Sequence, residues 1–386
     1  MVSLAAYALF AVGPQCGRGL AGDEAAGDLA GPLEVLRSVG PMGAGNEAAA
    51  RAWRAVVKAN AEDLTEVLAA LDGAGPLAAN WIRSAVDAIA ERQVRAGGDL
   101  PKEELEAFIH DTEHSPRGRR MAFEWLTRVD ASAPDRLIPG LLNDSSVEFR
   151  RDAVARLLAE AEALGGKSDE TSKAAAGEVY RKALSGARDV DQVQQIKGEL
   201  EKLGHKVDLA RHFGFLLDWK LIGPFDNTDE KGFDVVYPPE EVLDPAAEYE
   251  GKPGSNGSRL VQWVDHSSKN EFGQVDLNQA LGKANGVAAY ALAEFDSAEQ
   301  QEVELRLGSL NAVKLWLNGD LLHQHRVYHS GAQMDQYIAR GRFEPGRNLI
   351  LLKVCQNEQA EEWAQAWAFQ LRVCDSAGTA ILSRDR

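Results

Sequence analysis

Near residue 212 the apolar spacing of the chain changes from a helical period to a period of two, and no single layer of structure satisfies both patterns. Before that point Ala, Leu, Arg and Glu dominate; after it Gly, Val, Asn and aromatic residues do. Nine aromatic residues precede position 212 and eighteen follow it. Helix formers followed by strand formers predict two separately organised units, α then β, and 386 residues suffice for both.

Residues 22–46 are rich in Gly, Ala and Pro without periodic apolar positions and read as a linker. A helical-repeat domain is expected over 47–211. Trp53, Val56 and Val57 fit one helix face, and Leu64, Val67, Leu68 and Leu71 another. Three helix pairs follow one another, with Arg83, Arg120 and Arg151 in equivalent places at steps of 37 and 31 residues. A helix pair cannot bury its apolar stripe alone, so such units stack into an α-solenoid. The third unit, Leu137-Ile138-Pro139-Gly140-Leu141-Leu142 followed by Phe149-Arg150-Arg151-Asp152-Ala153-Val154, resembles a HEAT or armadillo-type repeat.

Over 212–386 the period of two predicts strands at 216–225, 260–265, 287–295, 302–307, 313–317, 336–342, 349–354 and 366–373. Turn signals such as Asn318-Gly319 and Pro345-Gly346 separate several of them. Short strands without long intervening helices indicate an antiparallel β-sandwich or jelly roll. Val313-Lys314-Leu315-Trp316-Leu317-Asn318-Gly319, and then Phe343-Glu344-Pro345-Gly346-Arg347-Asn348-Leu349, resemble the hairpin and strand entry of the galactose-binding-like jelly roll. The opening Trp219–Asn227, with Gly232-Phe233-Asp234 and Tyr237-Pro238-Pro239-Glu240, resembles such domains in exported bacterial proteins, often beside HEAT-type repeats. That resemblance implies a sugar-binding module of the kind attached to glycoside hydrolases.

Charge narrows the partners. Lys and Arg number 42 against 59 Asp and Glu, a net charge of −17, so the basic footprint needed for nucleic acid or anionic lipid is missing. No run approaches a membrane span. Residues 2–12 form a short apolar core followed by Gly13-Pro14 and Gly19-Leu20-Ala21. This reads as an export signal over 1–21, placing the protein in the periplasm or outside the cell. Cys355 and Cys374, on different strands, are expected to remain free thiols.

A sugar site on a sheet needs flat rings to stack on the ring face and planar polar groups to grip hydroxyls. The candidates are Trp316 with its face-mates Lys314 and Asn318, and Trp263, Tyr328, Trp363 and Trp367. Asp226, Asn227 and Asp229 offer hard oxygens for a structural calcium ion, without EF-hand spacing; no other cofactor is indicated. No nucleophile elbow, zinc-protease helix or phosphate-binding loop is present. The expectation is a non-catalytic binding protein, with carbohydrate on the β-sandwich and a protein partner on the repeats. The alternatives are a polysaccharide hydrolase or lyase, or a purely structural envelope scaffold.

Overall fold

The computed structural model describes residues 28–253 and 259–385. The expected export signal at 1–21 lies outside them. Two compact units result, one over Met1–Leu137 and one over Ile138–Arg386.

The first unit is helical: α1 (Ala30–Arg37), α2 (Asn46–Val56), α3 (Leu64–Ala69), α4 (Pro76–Arg95), α5 (Lys102–His110), α6 (Pro116–Val129) and α7 (Ala133–Leu137). Helix α1 lies within the Gly- and Ala-rich stretch, where Leu33 and Leu36 supply two buried anchors one turn apart. Helix α6 shows how the local sequence sets an element. Pro116 occupies its first turn, and Ser115 accepts the Gly118 amide at 3.2 Å. Asp72 then holds the Ser115 amide at 2.6 Å. The stripe Met121, Ala122, Trp125 and Leu126 is buried.

In the second unit the helices α8 (Val147–Gly165), α9 (Glu170–Gly186), α10 (Val190–Lys202) and α11 (Leu209–Phe213) precede the strands. Pro139 breaks the apolar run after α7, leaving a 3-10 turn at Ile138–Leu141. Helix α11 feeds the sheets directly. Gly214 has φ of +80°, and a Cβ there would stand 2.4 Å from the Val373 carbonyl, so the chain can turn into the sheet only with glycine.

Twelve strands are described: β1 (Asp218–Asp226), β2 (Glu248–Glu250), β3 (Leu260–Gln262), β4 (Val264–Ser267), β5 (Val275–Asp276), β6 (Val287–Ser297), β7 (Gln301–Ser309), β8 (Ala312–Leu317), β9 (Asp320–His325), β10 (Tyr337–Phe343), β11 (Gly346–Gln356) and β12 (Ala368–Cys374). Two further short helices are α12 (Pro238–Glu241), between β1 and β2, and α13 (Leu277–Leu281), between β5 and β6. All described pairings are antiparallel. They make a six-stranded sheet, β4-β1-β6-β11-β8-β9, a four-stranded sheet, β10-β7-β12-β5, and the hairpin β2-β3. The two larger sheets share one core, with Ile350, Leu352, Val354, Val313 and Leu315 from the first and Val303, Leu305, Leu307, Leu371 and Val373 from the second. Phe295 stacks on Phe343 at 4.4 Å, and Trp219 meets Phe369 edge-on at 5.0 Å. Cys355 and Cys374 are buried free thiols.

Candidate functional site

The sequence-derived ligand residues divide between three environments. Trp316, Trp263 and Tyr328 lie half-buried against a second apolar cluster on the outer face of the six-stranded sheet, formed by Ile222, Phe225, Tyr290 and Leu351 with Phe233 and Val261. Lys314 Nζ lies 4.8 Å from the Phe233 ring centre. Phe233, Tyr237, Tyr249 and Val261, which follow β1 in the chain, pack over this face. Trp367 is corrected outright: it is fully buried in the shared core and donates Nε1–H to the Val354 carbonyl at 3.2 Å. Its place beside polar neighbours in sequence concealed that the chain turns inward there.

Asn318 carries a turn. With φ of +52° beside Gly319 at +93°, it makes the two-residue hairpin between β8 and β9. Both of its amide atoms are used, Nδ2 donating to Asn348 Oδ1 at 2.9 Å and Oδ1 accepting the Leu349 amide at 2.8 Å. Trp363 is the one expected ring that stands open, 68% exposed, with its ring centre 5.3 Å from that of His329 in an edge-to-face arrangement.

The calcium candidates sit on the turn after β1. Asp226 Oδ1 accepts the Thr228 hydroxyl at 2.6 Å and faces Lys252 Nζ at 3.2 Å. Burial pushes its pKa up, but these contacts outweigh burial and leave it lowered. Asp229 pairs with Lys231 at 2.8 Å. Asn227 is buried and donates to Tyr328 Oη and the Gln356 carbonyl. Both carboxylates already face an ammonium group. Among the described residues no group of three or more His, Cys, Asp or Glu side chains could hold a metal ion.

A different place meets the requirement for amides around a ring. On the outer face of the four-stranded sheet a cavity of 310 Å³ is bordered by Asn270, Phe272, Gln274, Met334 and Gln370, with Gly308 in its floor. Residues Phe369 and Leu371 of β12 point into the core, so the alternation sends Gln370 outward. Gly308 is its register partner on β7. A Cβ at Gly308 would stand 2.4 Å from the Gln333 carbonyl and 3.1 Å from Gln370 Nε2, so glycine is what leaves the floor low.

The wall comes from the loop between β4 and β5. Asn270 Oδ1 accepts the Phe272 amide at 2.8 Å, an Asx turn, and Ser268 Oγ donates to the Gln274 carbonyl. This fixes Phe272 with its ring 6.0 Å from Phe213 and 6.2 Å from Phe215. The side-chain amides of Gln274 and Gln370, and Asn270 Nδ2, have no hydrogen-bond partner among the described residues. None of these residues was marked by sequence. Their only signal was a polar residue at an outward strand position, which is the usual state of an exposed sheet face.

A groove beside β1 and β4 collects Asp218, Asp265, Glu294 and Asp385. Asp265 is paired with Lys220 at 2.6 Å and Glu294 with Arg347.

No protein-family model matches the chain, and no curated protein matches it. Among solved structures it is similar to a GH31 alpha-xylosidase from Xanthomonas citri, at 11% identity and a TM-score of 0.19 over 34% of this chain and 18% of that one. A family 35 carbohydrate-binding module from Clostridium thermocellum gives 9% identity and a TM-score of 0.17 over 39% of this chain and 96% of the module. A beta-glucosidase from Kluyveromyces marxianus in complex with glucose gives 11% identity and a TM-score of 0.26, over 75% of this chain and 36% of the enzyme. The chain therefore spans well under half the length of either enzyme. No helix among the described residues is long and apolar enough to cross a membrane.

Proposed function

We propose that the protein is a non-catalytic carbohydrate-binding protein and that the cavity over Gly308 is its sugar site. In this reading the sheets form a galactose-binding-like jelly roll, the N-terminal helices a HEAT-like solenoid that docks a protein partner, and the chain is exported. The observation that carries the sugar site is the gathering of the Gln274 and Gln370 side-chain amides and the Asn270 Nδ2 donor, none of them bonded to another described residue, around the Phe272 ring and the Met334 side chain. An amide offers a donor and an acceptor in one plane, which suits adjacent hydroxyls. The ring supplies apolar area without a charge to desolvate, so the site favours a neutral, hydroxyl-rich guest. Gripping hydroxyls with otherwise unpaired amides gives specificity, because an analogue lacking a hydroxyl leaves an amide unpaired.

Calorimetric titration of the full chain with neutral mono- and oligosaccharides tests this. Saturable binding is expected, weakened about tenfold or more in Gln370→Ala and in Phe272→Ala, one or two lost hydrogen bonds or a lost stacking face each being of that order. Trp316→Ala is expected to bind as the parent does. Absence of binding across the panel, or binding untouched by Gln370→Ala, would remove the proposal.

A further inference from the structure

A second cleft, of 450 Å³, lies between the end of α9 and the turn after β12, bordered by Arg181, Arg188, His212 and Thr379. Arg188 is half-buried there, and its hydrogen bonds go to neutral oxygens. Nη1 donates to the Ser185 and Ala187 carbonyls at 2.8 and 2.7 Å, and Nε reaches Thr379 Oγ1 at 3.4 Å. Nη2 has no protein partner, and no carboxylate lies within ion-pair distance of Arg188 among the described residues.

The neighbouring arginines divide into those held by a carboxylate and those that are not. Nearby, Arg372 is clamped by Asp335, Arg181 by Glu178, and Arg151 by Asp189 and Asp191. Arg150 is buried, donates to the carbonyls of Asp144, Ser145 and Ala377, and like Arg188 has no carboxylate within ion-pair distance. Its Nε is buried without a partner. Burial lowers the Arg188 pKa, Arg150 and Arg372 lower it further, and only Asp375 opposes them. Asp375 is itself occupied by the Thr379 amide at 2.8 Å. A partly desolvated cation in a repulsive field is costly unless an anion completes it. In a chain with 59 acidic residues, leaving it uncompensated is not for want of carboxylates.

We propose that this cleft binds one oxyanion group, a carboxylate, sulfate or phosphate, with Arg188 Nη2 and the Thr379 hydroxyl as its donors and Arg181 at its mouth. The guanidinium edge fits a planar or tetrahedral oxyanion. His212 reports on it. Its Nε2 lies 3.0 Å from the Ala187 carbonyl, which makes that nitrogen the donor in the neutral ring. Burial and the charges of Arg188 and Arg372 hold its pKa down to about 4. A bound anion offsets those charges and moves it upward.

Calorimetry on the full chain at low salt, with inorganic phosphate, sulfate and glucuronate in separate titrations, tests the site and tells the three sources apart. At least one is expected to bind saturably and to raise the His212 titration midpoint seen by NMR. Affinity is expected to fall about tenfold or more in Arg188→Gln and less in Arg188→Lys, as loss of a charge-assisted hydrogen bond requires. Gln370→Ala is expected to leave anion binding intact, which separates this outcome from that of the sugar site. If none of the three anions shifts His212 in the parent protein, or Arg188→Gln binds as the parent does while remaining folded, the proposal fails.

Discussion

Asn318 donates its side-chain amide to the side-chain oxygen of Asn348 across 2.9 Å, so the two motifs that mark the sheet unit are bonded to each other. Asn348 is fully buried. Its Nδ2 also donates to the Glu344 and Gly346 carbonyls, and its Oδ1 accepts the Glu344 amide at 2.9 Å. The Asn-Gly hairpin and the Pro-Gly strand entry are thereby one structural clamp. Replacing Asn348 by alanine strands several of these groups and is expected to cost about 2–4 kcal/mol. Asn318→Ala loses fewer bonds but must hold a positive φ, at an expected cost of about 1–2 kcal/mol. Urea midpoints of both variants check the order; equal, negligible shifts would show that the clamp does not hold the turns.

This clamp also shows what the sequence made legible. The change of period near residue 212 located the strands because core positions alternate on β8 and β7. Strands β6 and β11 are buried on both faces, so Ala291 and Leu292, or Leu352 and Lys353, are all covered and the alternation vanishes. Strand β9 lies outside the strands expected from sequence, because on this half-exposed sheet edge Asp320, His323, Gln324 and His325 replace an apolar alternation. The cavity was invisible for another reason. Asn270, Gly308, Met334 and Gln370 come from separate segments, and only the pairing of β7 with β12 brings them together. Spacing along the chain carries no trace of that.

Lys353 and Glu240 form a buried ion pair on the outer face of the six-stranded sheet, at 2.8 Å with side chains 0% and 8% exposed. Lys353 also donates to the Val235 carbonyl at 2.7 Å, and Tyr290 donates to Glu240. Burial lowers the lysine's pKa, while Glu240 draws it back. Removing one partner leaves the other charge stranded, so Glu240→Leu is expected to cost about 3–5 kcal/mol. The double variant Lys353→Met, Glu240→Leu is expected to recover most of that loss, since an apolar pair of similar volume replaces two buried charges. A double-mutant cycle from denaturation curves reads the difference, and an additive pair of losses would contradict it.

The turn after β1 bears on metal dependence. With Lys252 beside Asp226 and Lys231 beside Asp229, a divalent ion must displace an ammonium group to enter. Calcium is therefore expected to leave thermal unfolding unchanged, and a chelator likewise. A resident ion at about a hundred times its dissociation constant would add about 2.7 kcal/mol, which scanning calorimetry detects as a rise of several degrees.

Acid stability should decline in two windows. His212 titrates near 6.5 in the unfolded chain but at about 4 when folded, so between those values the unfolded state binds the extra proton and stability falls as pH drops. That slope is expected to total on the order of 2 kcal/mol and to disappear in His212→Gln. Asp335 governs the lower window. Burial raises its pKa, but hydrogen bonds from Arg372 and Arg306 outweigh burial and hold the carboxylate below its ordinary 3.8. Its contribution is fully present above about pH 4 and is lost as pH falls through the folded value. Asp335→Asn is thus expected to lower stability at neutral pH by about 2–3 kcal/mol, less than for a sealed pair because part of the carboxylate meets water, and to flatten the curve below pH 4. Unfolding midpoints from pH 7 to 2, in media free of phosphate, sulfate and carboxylate buffers, separate the windows. A His212→Gln curve parallel to the parent between 6.5 and 4 would mean the imidazole is not held neutral by burial and the charges of Arg188 and Arg372.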